Sequence, residues 1–214
     1  MSKYSKVCVI LGNGHGSNTP GKCSPDKRLL EYKYTREIVK MVAAKLKTLG
    51  IPYHILVPEE WDVSLSTRAI RVNNLVKSNK AKGITTFYIS VHVNAAGNGT
   101  WQDNKNANYW TAWTSIGQTA GDKLADELYR AAHEVLEPCG IRVMEQSYGD
   151  GDPDYEANFY VLKKTNCAAT LTENLFQDNR KNVDWLLSDL GKQKITEVHV
   201  KGIQYYIKNV LKIS

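Results

Sequence analysis

The stretch V-C-V-I-L-G-N-G-H-G, from Val7 to Gly16, limits what this chain can fold into more than any other. Its apolar run, bounded by Lys6 and Gly12, suits a strand buried on both faces, as in a parallel sheet covered by helices. The glycines that follow permit a sharp turn and close backbone approach, and they present a single histidine, His15. In open α/β sheets the C-terminal end of such a strand is where ligands bind.

The rest of the chain alternates as a buried parallel sheet requires. Ser17 to Lys27, rich in Gly, Pro, Ser, Asn and Asp, is a loop. A helix is predicted from about Leu30 to Leu49, with Ile38, Val42, Leu46 and Leu49 in one stripe and Gly50 as its stop. Counting back seven from Ile38 puts Glu31 in the inward phase at the helix start. Ile51 to Val57 reads as a strand. Ser64 caps a helix running to about Lys80, with Leu65, Ala69, Val72, Leu75 and Val76 facing inward.

Gly83 introduces I-T-T-F-Y-I-S-V-H-V, a strand that delivers His92 at its end, with Asn94 just beyond. Tyr109 to Thr114 is an aromatic strand, and Gln118 to Leu136 a helix with Leu124, Leu128, Ala131 and Val135 in phase. Met144 to Asn158, acidic and Gly-rich, is an exposed loop, and Phe159 to Leu162 a short strand. Cys167 to Glu173 is the last central strand and ends on a carboxylate; helices over about Asn179 to Leu190 and Lys194 to Leu211 follow. The implied fold class is α/β: a three-layer α/β/α sandwich around a mainly parallel sheet, with 109–114 and 140–145 as a hairpin-like antiparallel region. At 214 residues, with no repeat or linker, a single domain over 1–214 is expected.

Bulk properties exclude several function classes. The net charge of +6 is spread without a basic block or an RNA-binding aromatic motif, so it suits an anionic polymer, and nucleic acid is not an expected partner. No run approaches the roughly 18 apolar residues of a membrane span. The apolar run after M-S-K-Y-S-K is too short for a signal-peptide core, so a cytoplasmic chain at synthesis, without membrane insertion, is expected. Cys8, Cys23, Cys139 and Cys167 form no C-x-x-C pair and no disulfide framework; Cys8 and Cys167 read as small buried hydrophobes.

In a parallel sheet His15, His92 and Glu173 emerge on one edge, and Glu31, opening the helix after that edge, faces them. Two imidazoles and a carboxylate are the ligand set of a catalytic zinc with an open position for water. One Glu would be the ligand and the other a general base; spacing leaves open which.

The segments V-C-V-I-L-G-N-G-H-G, L-L-E, V-S-L-S-T-R-A-I-R-V-N, S-V-H-V-N-A and L-T-E-N-L-F-Q-D-N, in that order, resemble the zinc-dependent N-acetylmuramoyl-L-alanine amidases of the type 3 catalytic-domain family, from about Val7 to Leu211. The resemblance implies zinc (Zn2+) held by His15, Glu31 and His92, with Glu173 as the catalytic carboxylate. It implies hydrolysis of the amide between N-acetylmuramic acid and L-alanine in peptidoglycan, and a monomer acting on the cell wall is expected. T-A-W-T-S-I-G-Q-T-A-G-D-K-L-A is similar to phage-encoded members, which points to an endolysin or prophage origin. Two positions depart from the family pattern: Gly12-Asn13 stands where Asp-Pro is usual, and Leu175 where a glycine commonly precedes Phe176.

Other residues divide between site and core. Asn94 and Tyr155 are candidate substrate contacts, as are Trp101 and Tyr148 in polar loops, whereas Tyr109, Trp110 and Trp113 read as core at strand spacing. Arg68 and Asn73 are expected to hydrogen-bond beneath the site. His199 reads as a core residue of the last helix; His54 and His133 have no evident partner. Two competing functions are a Cys-His hydrolase using Cys23 and a non-catalytic peptidoglycan-binding module.

Overall fold

A computed structural model describes residues 3–103, 106–146 and 151–213. Seven strands among them form one sheet: β1 (Val7–Asn13), β2 (Tyr53–Ile55), β3 (Thr85–Asn94), β4 (Tyr109–Thr114), β5 (Arg142–Val143), β6 (Tyr155–Glu156) and β7 (Ala168–Phe176). The spatial order is β2-β1-β3-β7-β4-β5, with β6 also paired to β4. Pairings are parallel except β4 with β7.

The helices are α1 (Glu31–Leu49), α2 (Leu65–Lys80), α3 (Asp122–Leu136), α4 (Tyr160–Lys163), α5 (Arg180–Leu187) and α6 (Asp189–Tyr205). Strand alternation sorts the core into two layers. Val7, Val9, Leu11, Phe87, Ile89 and Val91 pack with residues of α1, α3 and α6. Ile10, Tyr88, Ala169 and Leu171 pack with Val72 of α2 and with Val161 and Leu162 of α4. Each fully buried aliphatic side chain contributes about 1.5–3 kcal/mol, which fixes the register, since a one-residue slip would exchange the faces.

The connections position the site. From β1 the chain passes through α1 to β2 on one side, then through α2 to β3 on the other. α1 and α2 therefore lie on opposite faces, and the sheet has its topological switch between β1 and β3.

Several expectations are corrected. Residues 160–163 form a helical turn, not a strand: Lys163 N–H donates to Phe159 O at 2.9 Å and Lys164 N–H to Tyr160 O at 2.9 Å. A short apolar run carries no period that separates the two states. β5 runs parallel to β4 because α3 carries the chain back between them, so the antiparallel neighbour of 109–114 is β7 rather than 140–145. The strand expected over 51–57 pairs only at Tyr53–Ile55. Leu49 and Leu65, placed inward by periodicity, are 39% and 54% exposed, the one ending α1 and the other opening α2. All four cysteines are free, and Cys8 and Cys167 are half-buried rather than buried. No helix among the described residues is long and apolar enough to cross a membrane.

Candidate metal centre

His92 and Glu173 are directly paired across β3 and β7, with Ser90 and Leu171 paired two residues earlier. The pleat sends side chains two apart to the same face. All four consequently line one cavity of about 240 Å³, together with His15, Lys22, Asp62, Arg68, Phe159 and Tyr160.

His15 arrives from the turn after β1 in a left-handed conformation, φ 55°. Buried hydrogen bonds hold this turn. Gly14 N–H donates to Val91 O at 2.9 Å. The Arg68 guanidinium, 4% exposed, donates to Val63 O at 2.7 Å, Asn13 O at 2.6 Å, His15 O at 3.3 Å and Asp62 Oδ1 at 3.2 Å. Arg36 reaches Gly14 O at 3.5 Å. Arg68 thus has the supporting role expected of it. Asn73 instead donates to Lys164 O, tying α2 to α4.

Glu31, the first residue of α1, is 1% exposed. A small hairpin sets it there: Cys23 bridges Leu30, and Glu31 N–H donates to Lys22 O at 3.0 Å. Its Oε1 lies 3.5 Å from His15 Nε2 and 3.2 Å from His92 Nδ1, and accepts from Val93 N–H at 3.1 Å. The other ring nitrogen of His92, Nε2, meets Ser90 Oγ at 3.1 Å, which fixes the ring. The two imidazoles stand edge to face, 5.2 Å apart.

Glycine is required at Gly14, where a Cβ would stand 2.6 Å from His92 Nδ1. At Gly16 a Cβ would instead run into the backbone of Trp61 and Asp62. Gly12 admits the Tyr88 hydroxyl, and Asn13 is fully buried.

The electrostatics suit a cation. Burial works against a charge on Glu31, yet the His92 hydrogen bond, both imidazoles and the Val93 amide hold its carboxyl below the usual range. Burial lowers His15 to about 4 despite Glu31, so the ring is neutral and offers a lone pair. Glu173 is pushed well above the carboxylate range, by burial first and then by the charge of Glu31.

His15, Glu31 and His92 each offer one ligand atom, and the three lie within 4.8 Å of one another. Glu31 Oε2 and Glu173 Oε2 are buried without a hydrogen-bond partner. Orphaned carboxylate oxygens are costly in a protein interior. Two imidazoles and a carboxylate with a spare oxygen fit a zinc-class ion.

Other candidates lie elsewhere. Asn94 follows a break in register after His92 and lines a separate depression with Tyr109 and Phe176; its Oδ1 accepts from Ala95 N–H. Tyr155 packs on Trp113, ring centroids 4.8 Å apart, and is not among the residues lining the cavity. Trp101 lies beneath the Arg180 guanidinium at 4.6 Å, and Tyr148 is outside the described residues. Cys23 does not line the cavity either. His199 is fully buried, as expected, whereas His133 has partners the sequence did not reveal, Glu137 at 2.9 Å and Glu145 at 2.7 Å.

Ser90, Lys22, Asp62 and the rim residues Leu65 and Tyr160 also line the cavity and were not among the site residues expected from the sequence. Only Ser90 carried a signal, standing two residues before His92 on the same strand face.

The switch point of this mainly parallel α/β sheet gathers two histidines and two glutamates into a candidate metal site. The chain belongs to the N-acetylmuramoyl-L-alanine amidase family, whose model matches residues 9–205. It is 27% identical over 196 residues to the endolysin of Bacillus phage SPP1, covering 91% of this chain and 64% of that protein. It is 24% identical over 206 residues to LytH, a probable cell wall amidase of Staphylococcus saprophyticus, covering 92% and 57%. The chain therefore spans roughly three-fifths of the length of these curated relatives. The fold is that of N-acetylmuramoyl-L-alanine amidase from Clostridium difficile 630, with a TM-score of 0.77 at 24% identity over 95% of this chain and 98% of that one.

Proposed function

We propose that this chain is a zinc-dependent amidase that hydrolyses the bond between the lactyl group of N-acetylmuramic acid and L-alanine in peptidoglycan, acting on the cell wall. The observation that carries the reading is the convergence of His15, His92 and Glu31 beside the buried Glu173, whose Oε2 has no hydrogen-bond partner. Family membership supports the choice of amide.

His15, Glu31 and His92 hold the metal in this reading, and Ser90 and the Val93 amide keep His92 and Glu31 in place. Zinc bound there supplies a Lewis acid that polarises the amide carbonyl and brings the pKa of water down to about 7. Glu173 receives a proton from the attacking water and passes it to the L-alanine nitrogen as the C–N bond breaks. A cation held by His15, Glu31 and His92 would offset the burial and the charge of Glu31 that raise this carboxyl, and so favour the ionised Glu173 that accepts the proton. Phe159, Val161 and Leu171 give the cavity an apolar wall.

The test is Glu173→Gln with purified sacculi. The variant is expected to keep one zinc and to lose at least about 100-fold in the release of L-alanine amino termini. Full activity in the variant would remove Glu173 from the mechanism. Binding of sacculi by the wild-type protein without new L-alanine termini would make the chain a wall-binding module.

A further inference from the structure

On the far side of β4 from β7, the start of α3 meets the segment that leads into β6. Asp122, the first residue of α3, and Asp152 and Asp154, just ahead of β6, bring one carboxylate oxygen each within 4.8 Å of one another. Asp122 is 5% and Asp154 1% exposed. Both oxygens of Asp122 accept from Thr119, from its amide and, at 2.6 Å, from its hydroxyl. Asp154 Oδ2 accepts from Thr114 Oγ1 at 2.5 Å, while its Oδ1 is buried with no hydrogen-bond partner.

Three carboxyl groups gathered away from water repel one another unless protons or a cation neutralise them. Burial, and then the carboxyl groups of Asp152 and Asp122 acting against the Thr114 hydrogen bond, push Asp154 up to about 8. Burial and the same two neighbours push Asp126, one turn along α3, up to about 6.

We propose that Asp122, Asp152 and Asp154 form a second cation site, separate from the His15–Glu31–His92 group, and that its ligand is Ca2+. The donors are all oxygen, with no imidazole or thiolate, which selects a hard cation over zinc. Calcium sits about 2.3–2.6 Å from its oxygens, so one ion can touch oxygens up to about 4.6–5.2 Å apart, a span that includes this cluster. The orphaned Asp154 Oδ1 is the atom the ion satisfies.

The ion ties the entry to β6 onto α3. Tyr155, the next residue, packs on Trp113 at 4.8 Å, and Trp113 packs on Phe159 at 5.4 Å. Phe159 lines the catalytic cavity, so this aromatic row links the calcium site to the cavity wall.

The experiment uses the zinc-loaded protein freed of other metals by desalting. Tb3+ is titrated with excitation of the neighbouring Trp113 and Tyr155, Ca2+ is used to displace it, and Ca2+ is titrated alone by calorimetry with thermal melts. One equivalent of Ca2+ is expected beyond the zinc, with sensitised Tb3+ emission and a rise in Tm. Asp154→Asn and Asp152→Asn are each expected to weaken Kd by at least about tenfold. The second variant leaves the Thr114–Asp154 hydrogen bond in place and guards against a folding defect in the first, with circular dichroism reporting the fold of both. His92→Ala is expected to retain the site. Absence of a second equivalent at about 10 mM Ca2+ would overturn the proposal, with Asp152 and Asp154 then sharing a proton. Unchanged affinity in both folded aspartate variants would overturn it as well.

Discussion

Gly14 packs its bare Cα against the ring of His92, so that a Cβ at this position would stand 2.6 Å from Nδ1 and 3.1 Å from Glu31 Oε1. The turn after β1 is built around that approach. It brings His15 beside Glu31 and His92 without a side chain intruding on either of them.

Gly14→Ala is therefore expected to displace His92 and to weaken zinc binding by about 10–100-fold, with the fold retained. Zinc content after dialysis against limiting metal, with circular dichroism as the fold control, measures this. An unchanged zinc affinity would show that the ring can yield at no cost.

Ser90→Ala tests the partner on the other side of the same ring. Loss of the 3.1 Å contact to Nε2 frees His92 to rotate, and zinc affinity is expected to fall by about tenfold. Ser90→Thr, which keeps the hydroxyl, is expected to retain most of it; equal losses in the two variants would point to packing rather than the hydrogen bond.

Arg68→Lys is expected to cost about 2–3 kcal/mol of stability in urea denaturation. The buried guanidinium serves Val63, Asn13, His15 and Asp62 at once, and an ammonium cannot reach four acceptors in that planar arrangement. A loss below about 0.5 kcal/mol would mean that water replaces the missing donors.

His199 sets a pH dependence. Its Nδ1–H donates to Ile195 O at 2.7 Å, which leaves Nε2 as the acceptor facing the Thr172 hydroxyl at 2.9 Å. Burial lowers this histidine to about 4 from an ordinary 6.5. Above pH 6.5 both folded and unfolded forms are neutral and stability is full. Below it the unfolded chain takes up a proton that the folded one refuses, so stability falls as pH drops toward 4, by on the order of 3 kcal/mol. His199→Gln is expected to flatten that part of the Tm–pH curve; an identical slope in the variant would assign the loss to other groups.

Leu175 holds φ 62° while fully buried. The left-handed backbone costs about 1–2 kcal/mol for a side-chain-bearing residue. Deleting a buried leucine side chain costs about 2–5 kcal/mol, so packing outweighs strain. Leu175→Gly is expected to lower stability by roughly 1–3 kcal/mol, and a Tm above that of the wild type would reverse the balance.

Much of the site could be read from the chain because it follows local periods. Apolar runs closing on His92 and Glu173 marked the two strands that carry them, and the pair sits side by side in β3 and β7, although β7 continues to Phe176. A helical count back from Ile38 put Glu31 inward on α1. The glycines around His15 announced the tight turn. These features need only a residue's own strand or helix and the demand that its apolar face be buried.

What tertiary structure alone decided depends on partners distant in sequence. The break in register after His92 directs Asn94 to another depression, and packing on Trp113 takes Tyr155 out of the cavity. Residues 160–163 close into a helical turn beside α2, where an apolar tetrad had no period of its own to show. Asp122 meets Asp152 and Asp154 only because α3 returns the chain alongside β4. Strand and helix phase are encoded within a few residues, whereas register breaks, crossovers and the meeting of like charges arise from the energy of the whole packed sheet.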